Sequence, residues 1–203
     1  MNFDNLSGFV LAGGKSSRME TDKAFLETGG ETFLDKAVKT LQTVCEKRIK
    51  IVLNNNQNNF IERLPEGVPH VFDIYENRGA PGGIHAALSN CATKYAMILA
   101  VDLPFVTTGA IENLANIALS SNKFIAVVPH QTDGGTQPLC AIYHARYCLP
   151  ALESLMEAND SASVRDFLEL IAPRYINQND LTADDTTDIF FNVNYPADFR
   201  RVS

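Results

Sequence analysis

Several signatures that would fix a chemistry at once are missing from this 203-residue sequence. Its four cysteines (Cys45, Cys91, Cys140, Cys148) form no C-x-x-C pair and its four histidines (His70, His85, His130, His144) no H-x-x-x-H pair, which argues against a zinc site and leaves reduced, buried thiols as the expectation. A basic excess is missing too. With 17 Lys and Arg against 24 Asp and Glu, the formal charge is −7, which argues against a nucleic-acid or anionic-membrane surface, since that would need a basic face; any anionic ligand has to be met locally. The longest nearly apolar stretch, residues 95–101, falls far short of the roughly 20 residues that span a bilayer, and the amino terminus has no basic n-region, so a cytoplasmic protein is expected. Two familiar phosphate loops are absent as well. Gly14-Lys15-Ser16 resembles the end of a P-loop, but the position five before Gly14 is Phe9, with Gly8 one residue out of register; no G-x-G-x-x-G occurs here, because Gly13 and Gly14 are adjacent.

What is present begins at residues 9–12, an apolar run with the length and composition of a buried parallel strand, stopped by Gly13-Gly14. Glycines at the end of a strand let backbone N–H groups converge on an anion with no Cβ in the way. Lys15, Arg18 and Lys23 then place three cations within nine residues, partly offset by Glu20 and Asp22. At 45% hydrophobic content the chain can bury a sizeable core, and residues 1–203 are expected to form a single domain.

Beyond the loop, apolar and turn-forming segments alternate. Thr32, with Asp35 three residues on, marks a helix start, and Phe33, Leu34, Ala37, Val38, Leu41, Val44 and Cys45 follow helical spacing. Strands are expected at 48–53, 68–72, 95–101, 124–128, 138–143 and 189–193. Helices are expected at 60–64, 84–91, 109–119, 146–158 and 163–171, and at the carboxyl end, where Pro196 suits a first turn. Residues 54–59, 79–83 and 180–188 read as loops. This alternation predicts a three-layer α/β sandwich with a mainly parallel, Rossmann-like sheet.

Asn54, Asp73 and Asp102 each follow a predicted strand, as the glycine loop does, so such a fold would gather them on one edge of one sheet. A nucleoside triphosphate brings Mg²⁺, which keeps several waters and takes only one or two protein carboxylates. Asp102, held by the strand before it, is the candidate ligand; by spacing alone it serves equally to cap the turn that follows. Lys23 and Arg18 are candidates for neutralising phosphate charge, with solvated surface charge as their alternative. A phosphate monoester acceptor is already anionic, so no catalytic His or Cys is demanded.

Leu11-Ala-Gly-Gly14 with Arg18-Met19 and Asp22-Lys23, Val52-Leu-Asn54, Asp73, Ala100-Val-Asp-Leu-Pro-Phe105, Gln137-Pro-Leu139 and Phe191-Asn-Val-Asn-Tyr-Pro-Ala-Asp198 together resemble the molybdenum cofactor guanylyltransferase family over most of the chain. The resemblance implies a fold of the nucleotide-diphospho-sugar transferase type and transfer of GMP from MgGTP to molybdopterin. It implies a nucleotide site of Leu11, Ala12, Gly13, Lys23, Asn54, Asp73 and Asp102, with Asp102 also holding Mg²⁺, and Asn192 and Asn194 on the pterin side; Gly14 and Lys15 join the nucleotide site from the reading of the glycine loop. Molybdenum-insertion proteins or molybdoenzyme apoproteins would be partners. Three positions depart from the pattern: Glu20 replaces a glycine, Gly79-Ala-Pro-Gly-Gly83 replaces Gly-Pro-Leu-x-Gly, and Tyr195 replaces a helix-capping threonine. A related enzyme using CTP or a sugar phosphate is the nearest alternative, and a non-catalytic nucleotide-binding or cofactor-delivery module is the alternative from a different class.

Overall fold

The apolar run ending at Gly13 forms β1 (Leu6–Leu11), whose residues are all buried. The computed structural model describes residues 3–13, 22–75, 77–121, 123–131, 134–182, 188–193 and 198. Gly14, Lys15, Arg18, Glu20, Asn194, Tyr195 and Pro196 therefore lie outside the described residues. A small hairpin, β2 (Glu27–Thr28) and β3 (Glu31–Thr32), turns at Gly29 and Gly30 and leads into α1 (Phe33–Cys45). The predicted cap is present: Thr32 Oγ1 accepts from the Asp35 N–H at 3.0 Å. Then come β4 (Ile49–Asn54), a 3₁₀ turn (Asn58–Arg63), β5 (His70–Asp73), α2 (Ala80–Ser89), β6 (Tyr95–Ala100) and α3 (Thr108–Leu119). The chain continues through β7 (Ala126–His130), β8 (Cys140–His144), α4 (Ala145–Ala158), α5 (Val164–Ile171) and β9 (Arg174–Asn177).

Among the described residues the main sheet has seven strands in the order β5-β4-β1-β6-β8-β7-β9. The pairs β1–β4, β1–β6, β4–β5 and β7–β9 are parallel, while β8 runs against both its neighbours. Alternation of side chains through the sheet builds two cores. Leu6 and Val10 of β1 and Met97 and Leu99 of β6 face α1 and α3, whereas Phe9, Leu11 and Ile98 face α2, α4 and α5. Helices therefore cover both faces, as the alternation of elements required. Gly8 lets α1 come close: a Cβ there would lie 3.1 Å from Cys45 Sγ and 3.2 Å from Leu41 Cδ1.

Three sequence expectations change. The segment 79–83 is not a loop; after Gly79, at φ 60°, residues Ala80 to Gly83 form the first turn of α2, where Pro81 needs no N–H partner. The apolar segment 189–193 is not a strand. Asp188 shapes it into a turn, its Oδ1 accepting from the Phe190 N–H at 3.1 Å and its carbonyl from the Phe191 N–H at 3.1 Å, while Ile189, Phe190 and Val193 are buried in the α1/α3 core. The sheet edge is instead occupied by β9, which buries only Ile176 and so shows no alternating pattern.

Candidate functional site

Four adjacent strands, β5, β4, β1 and β6, end side by side, and their ends supply Asp73, Asn54, Leu11 to Gly13 and Asp102. Asn54 and Asp73 are direct register partners, and Leu11 is flanked by Val52 and Ala100. Together with Lys23 these residues line one cleft of about 680 Å³. The described members of the predicted nucleotide set are thus brought together, as the strand-end argument required. Asn192, by contrast, is half-buried in the 188–193 segment and does not line the cleft.

At the β1 end, the Ala12 and Gly13 N–H groups both donate to the Val52 carbonyl, at 3.0 and 3.2 Å, which turns the chain sharply toward β4. Asn54 packs so closely there that a Cβ on Gly13 would sit 2.5 Å from its Oδ1 and 3.1 Å from its backbone N. A glycine is needed for that approach, and its φ has nothing to do with it. Asp73 is buried, and its Oδ1 accepts from the Tyr75 N–H at 2.8 Å. Burial pushes its carboxyl above the ordinary value, opposed by the Tyr75 N–H and by His85, whose ring stands edge-on to Tyr75 at 4.7 Å.

The charged side of the cleft is different. Asp102 Oδ2 lies 3.6 Å from Lys23 Nζ, with side-chain exposures of 26% and 19%. Desolvation raises the Asp102 carboxyl and the Lys23 ammonium offsets part of that rise. Two anchors fix the pair. The Val193 N–H donates to the Asp102 carbonyl at 3.1 Å. Lys23 starts a 3₁₀ turn whose Phe25 is buried, its ring 4.8 Å from that of Phe60 and capped at 3.6 Å by the Arg63 guanidinium.

The site residues named from the sequence did not include Gln57, Tyr75 or Leu139, all of which line the cleft, although Leu139 belongs to the Gln137-Pro-Leu139 motif of the resemblance. For Gln57 there was a signal, its position three residues after Asn54 at a strand end, the spacing of a turn. Leu139 arrives because β8 is reversed, so the chain enters that strand at the cleft edge; its carbonyl accepts from the Ala100 N–H at 2.7 Å.

A cleft at the carboxyl ends of a mainly parallel sheet, with apolar walls and a few convergent polar groups, is what α/β enzymes that handle nucleotides present, and the chain falls in that class. More narrowly, residues 8–178 match the family model described as the MobA-like NTP transferase domain; the chain belongs to that family and is a nucleotidyltransferase. It is 31% identical, over 97% of each chain, to a probable molybdenum cofactor guanylyltransferase of Geobacillus sp. (strain WCH70). It is 30% identical, over 94% of its own length and 91% of the relative's, to a molybdenum cofactor guanylyltransferase of Desulfosudis oleivorans. Among solved structures, the molybdopterin-guanine dinucleotide biosynthesis protein A of Archaeoglobus fulgidus superposes with a TM-score of 0.79 at 22% identity, covering 97% and 96% of the two chains, which supports the fold.

Proposed function

We propose that this protein transfers GMP from GTP to the terminal phosphate of molybdopterin, forming molybdopterin guanine dinucleotide and releasing pyrophosphate. One P–O bond forms, from an acceptor phosphate oxygen to the α-phosphorus of GTP, and one breaks, between that phosphorus and the departing pyrophosphate. The observation that carries the reading is the gathering of Gly13, Asn54, Asp73 and Asp102 along one sheet edge, with Lys23 paired to Asp102 at the β6 side of the cleft. The names of the full-length relatives supply the substrates.

Residues 1–203 act in this reading as one nucleotidyltransferase unit in the cytoplasm. Leu11, Ala12, Gly13, Asn54 and Asp73 bind the nucleotide, and Lys23 meets the negative charge that builds on the phosphates. In this reading Gly14, Lys15 and Arg18 serve the phosphates, and Asn194 and Asn192, the latter outside the cleft lining, serve the pterin side of the acceptor. The acceptor phosphate is already an anion, so positioning two polyanions in line is the main task of the chain. The donor set suits a divalent cation and Mg²⁺ in particular: Asp102 offers one desolvated, partly open carboxylate, and Mg²⁺ takes only one or two carboxylates from protein beside the phosphates and water. When bound there, Mg²⁺ would screen the phosphates and favour departure of pyrophosphate. Molybdenum-insertion proteins or molybdoenzyme apoproteins receive the product.

Pyrophosphate release is the test, with the purified protein, Mg²⁺ and molybdopterin, comparing GTP, CTP, ATP and UTP and including Asp102→Ala. Release with GTP and its loss in the variant are expected; release with CTP instead would overturn the guanine assignment, and none with any nucleotide would overturn the reaction.

A further inference from the structure

The two sides of the cleft differ in kind. Around β6 it holds the Lys23–Asp102 ion pair, whereas around the ends of β4 and β5 it is lined by Asn54, Asn55 and Asn56 beside the buried carboxyl of Asp73. Phosphates belong on the first side, and the uncharged, hydrogen-bonding edge of a base belongs on the second. What fixes the second side is a residue with no place in the predicted set. Gln57 is buried, at 8% exposure, and both ends of its carboxamide are used: Oε1 accepts from the Asn54 N–H at 2.8 Å, and Nε2 donates to the Ala12 carbonyl at 3.4 Å across 45 residues of sequence. Its own N–H donates to the Asn54 carbonyl at 3.0 Å, and its carbonyl accepts from the Phe60 N–H at 2.9 Å. The main chain of Asn54 is thereby fully engaged, and the side chain is what Asn54 presents to the cleft.

We infer that Gln57 is a positioning residue that sets the base-reading wall, holding the glycine turn after β1 and the Asn54 corner in one fixed relation. The inference rests on the nucleotide site proposed above. It assigns Gln57 no contact with the phosphates and no part in the bond exchange, so its loss falls on nucleotide KM and on discrimination between bases more than on kcat. A buried carboxamide with two partners is a costly group to leave half-matched, which gives the arrangement its rigidity.

The test is steady-state pyrophosphate release at saturating acceptor, with GTP, ATP and CTP in turn, for wild type, Gln57→Met and Gln57→Glu. Methionine keeps the length and removes both hydrogen bonds; glutamate keeps the acceptor for the Asn54 N–H and sets a carboxylate against the Ala12 carbonyl. Loss of two hydrogen bonds predicts a rise of about tenfold in KM for GTP in Gln57→Met, with kcat changed much less and the GTP preference reduced. Gln57→Glu is expected in between and carries the test alone if the methionine variant does not fold. Unchanged KM and unchanged base preference in the folded variants would overturn the inference, as would a fall in kcat alone that tracks a lower Tm. If wild type uses another nucleotide, the guanine reading fails, while the same KM rise with that nucleotide still upholds Gln57.

Discussion

Gly82 and Gly83 are neighbours in the first turn of α2, and replacing each by alanine should move stability in opposite directions. Alanine is favoured over glycine within a helix by about 0.5–1 kcal/mol, so both substitutions start with the same gain. At Gly83 the new Cβ meets only the Leu11 side chain, Cδ1 at 3.4 Å and Cδ2 at 3.7 Å, ordinary contacts, and the gain survives. At Gly82 the Cβ falls on the Asp73 carboxylate, against Oδ2, with Oδ1 at 2.8 Å and Cγ at 2.9 Å. That carboxylate cannot simply swing away, because its Oδ1 holds the Tyr75 N–H. With every contact under 3.0 Å and the carboxylate tethered, the overpacking falls in the upper part of the usual range, about 2–3 kcal/mol, which outweighs the helix gain and leaves Gly82→Ala destabilised by about 1–2 kcal/mol. For a chain of this size that is a fall in Tm of about 3–6 °C, against a rise of about 1–3 °C for Gly83→Ala. Urea and thermal unfolding of both variants, repeated in an Asp73→Ala background, would measure it. Removing the carboxylate should turn alanine at position 82 neutral or stabilising, a coupling that the double-mutant cycle isolates. Equal stabilisation of the two single variants, or an undiminished penalty at 82 without Asp73, would refute the reasoning.

Asp102 has a folded-state carboxyl raised by desolvation, so its ionisation is a burden on the ligand-free fold. Stability is therefore greatest below its ordinary value and is lost as pH rises through the raised one; Asp102→Asn should unfold at a higher temperature than wild type at pH 7, by a margin that shrinks on acidification, while pyrophosphate release is lost. Phe25→Ala empties the space between Phe60 and Arg63 and should cost about 3 kcal/mol in urea unfolding, together with slower turnover as the Lys23 turn loosens. Burial pushes the thiols of Cys45, Cys140 and Cys148 up to about 12, so alkylation of the native protein followed by mass spectrometry should mark Cys91 and leave these three unmodified until denaturant is added.

The cleft was legible because each of its strands is an apolar run that stops at a polar or glycine residue, and parallel strands stop on one edge. Gly13, Asn54, Asp73 and Asp102 could be placed together on that ground alone. Direction was not legible: nothing in Cys140–His144 distinguishes a reversed strand from a parallel one, since buried residues face helices on both sides either way. Composition misled at 79–83, where Pro and Gly read as a loop although Pro81 suits a first helical turn and Gly82 makes room for Asp73. It misled again at 189–193, where buried apolar residues sit on a turn tied by Asp188. Gln57 escaped notice because a bridge between positions 12 and 57 is a tertiary relation that neither segment contains by itself.

Because β8 is reversed, the chain between β7 and β8 leaves and re-enters the sheet on the same edge, that of the cleft, unlike the crossovers that join the parallel strands. A crossover has to keep its length to return a strand in register. A connection whose two ends are already neighbours can gain or lose residues at a closure cost that grows only slowly with its length. The connection between His130 and Thr136 is in this sense the place where the chain can change length near the cleft: Gln137 and Leu139 stay tied to Pro129 and Ala100, and the pairings that carry Gly13, Asn54 and Asp73 stay as they are.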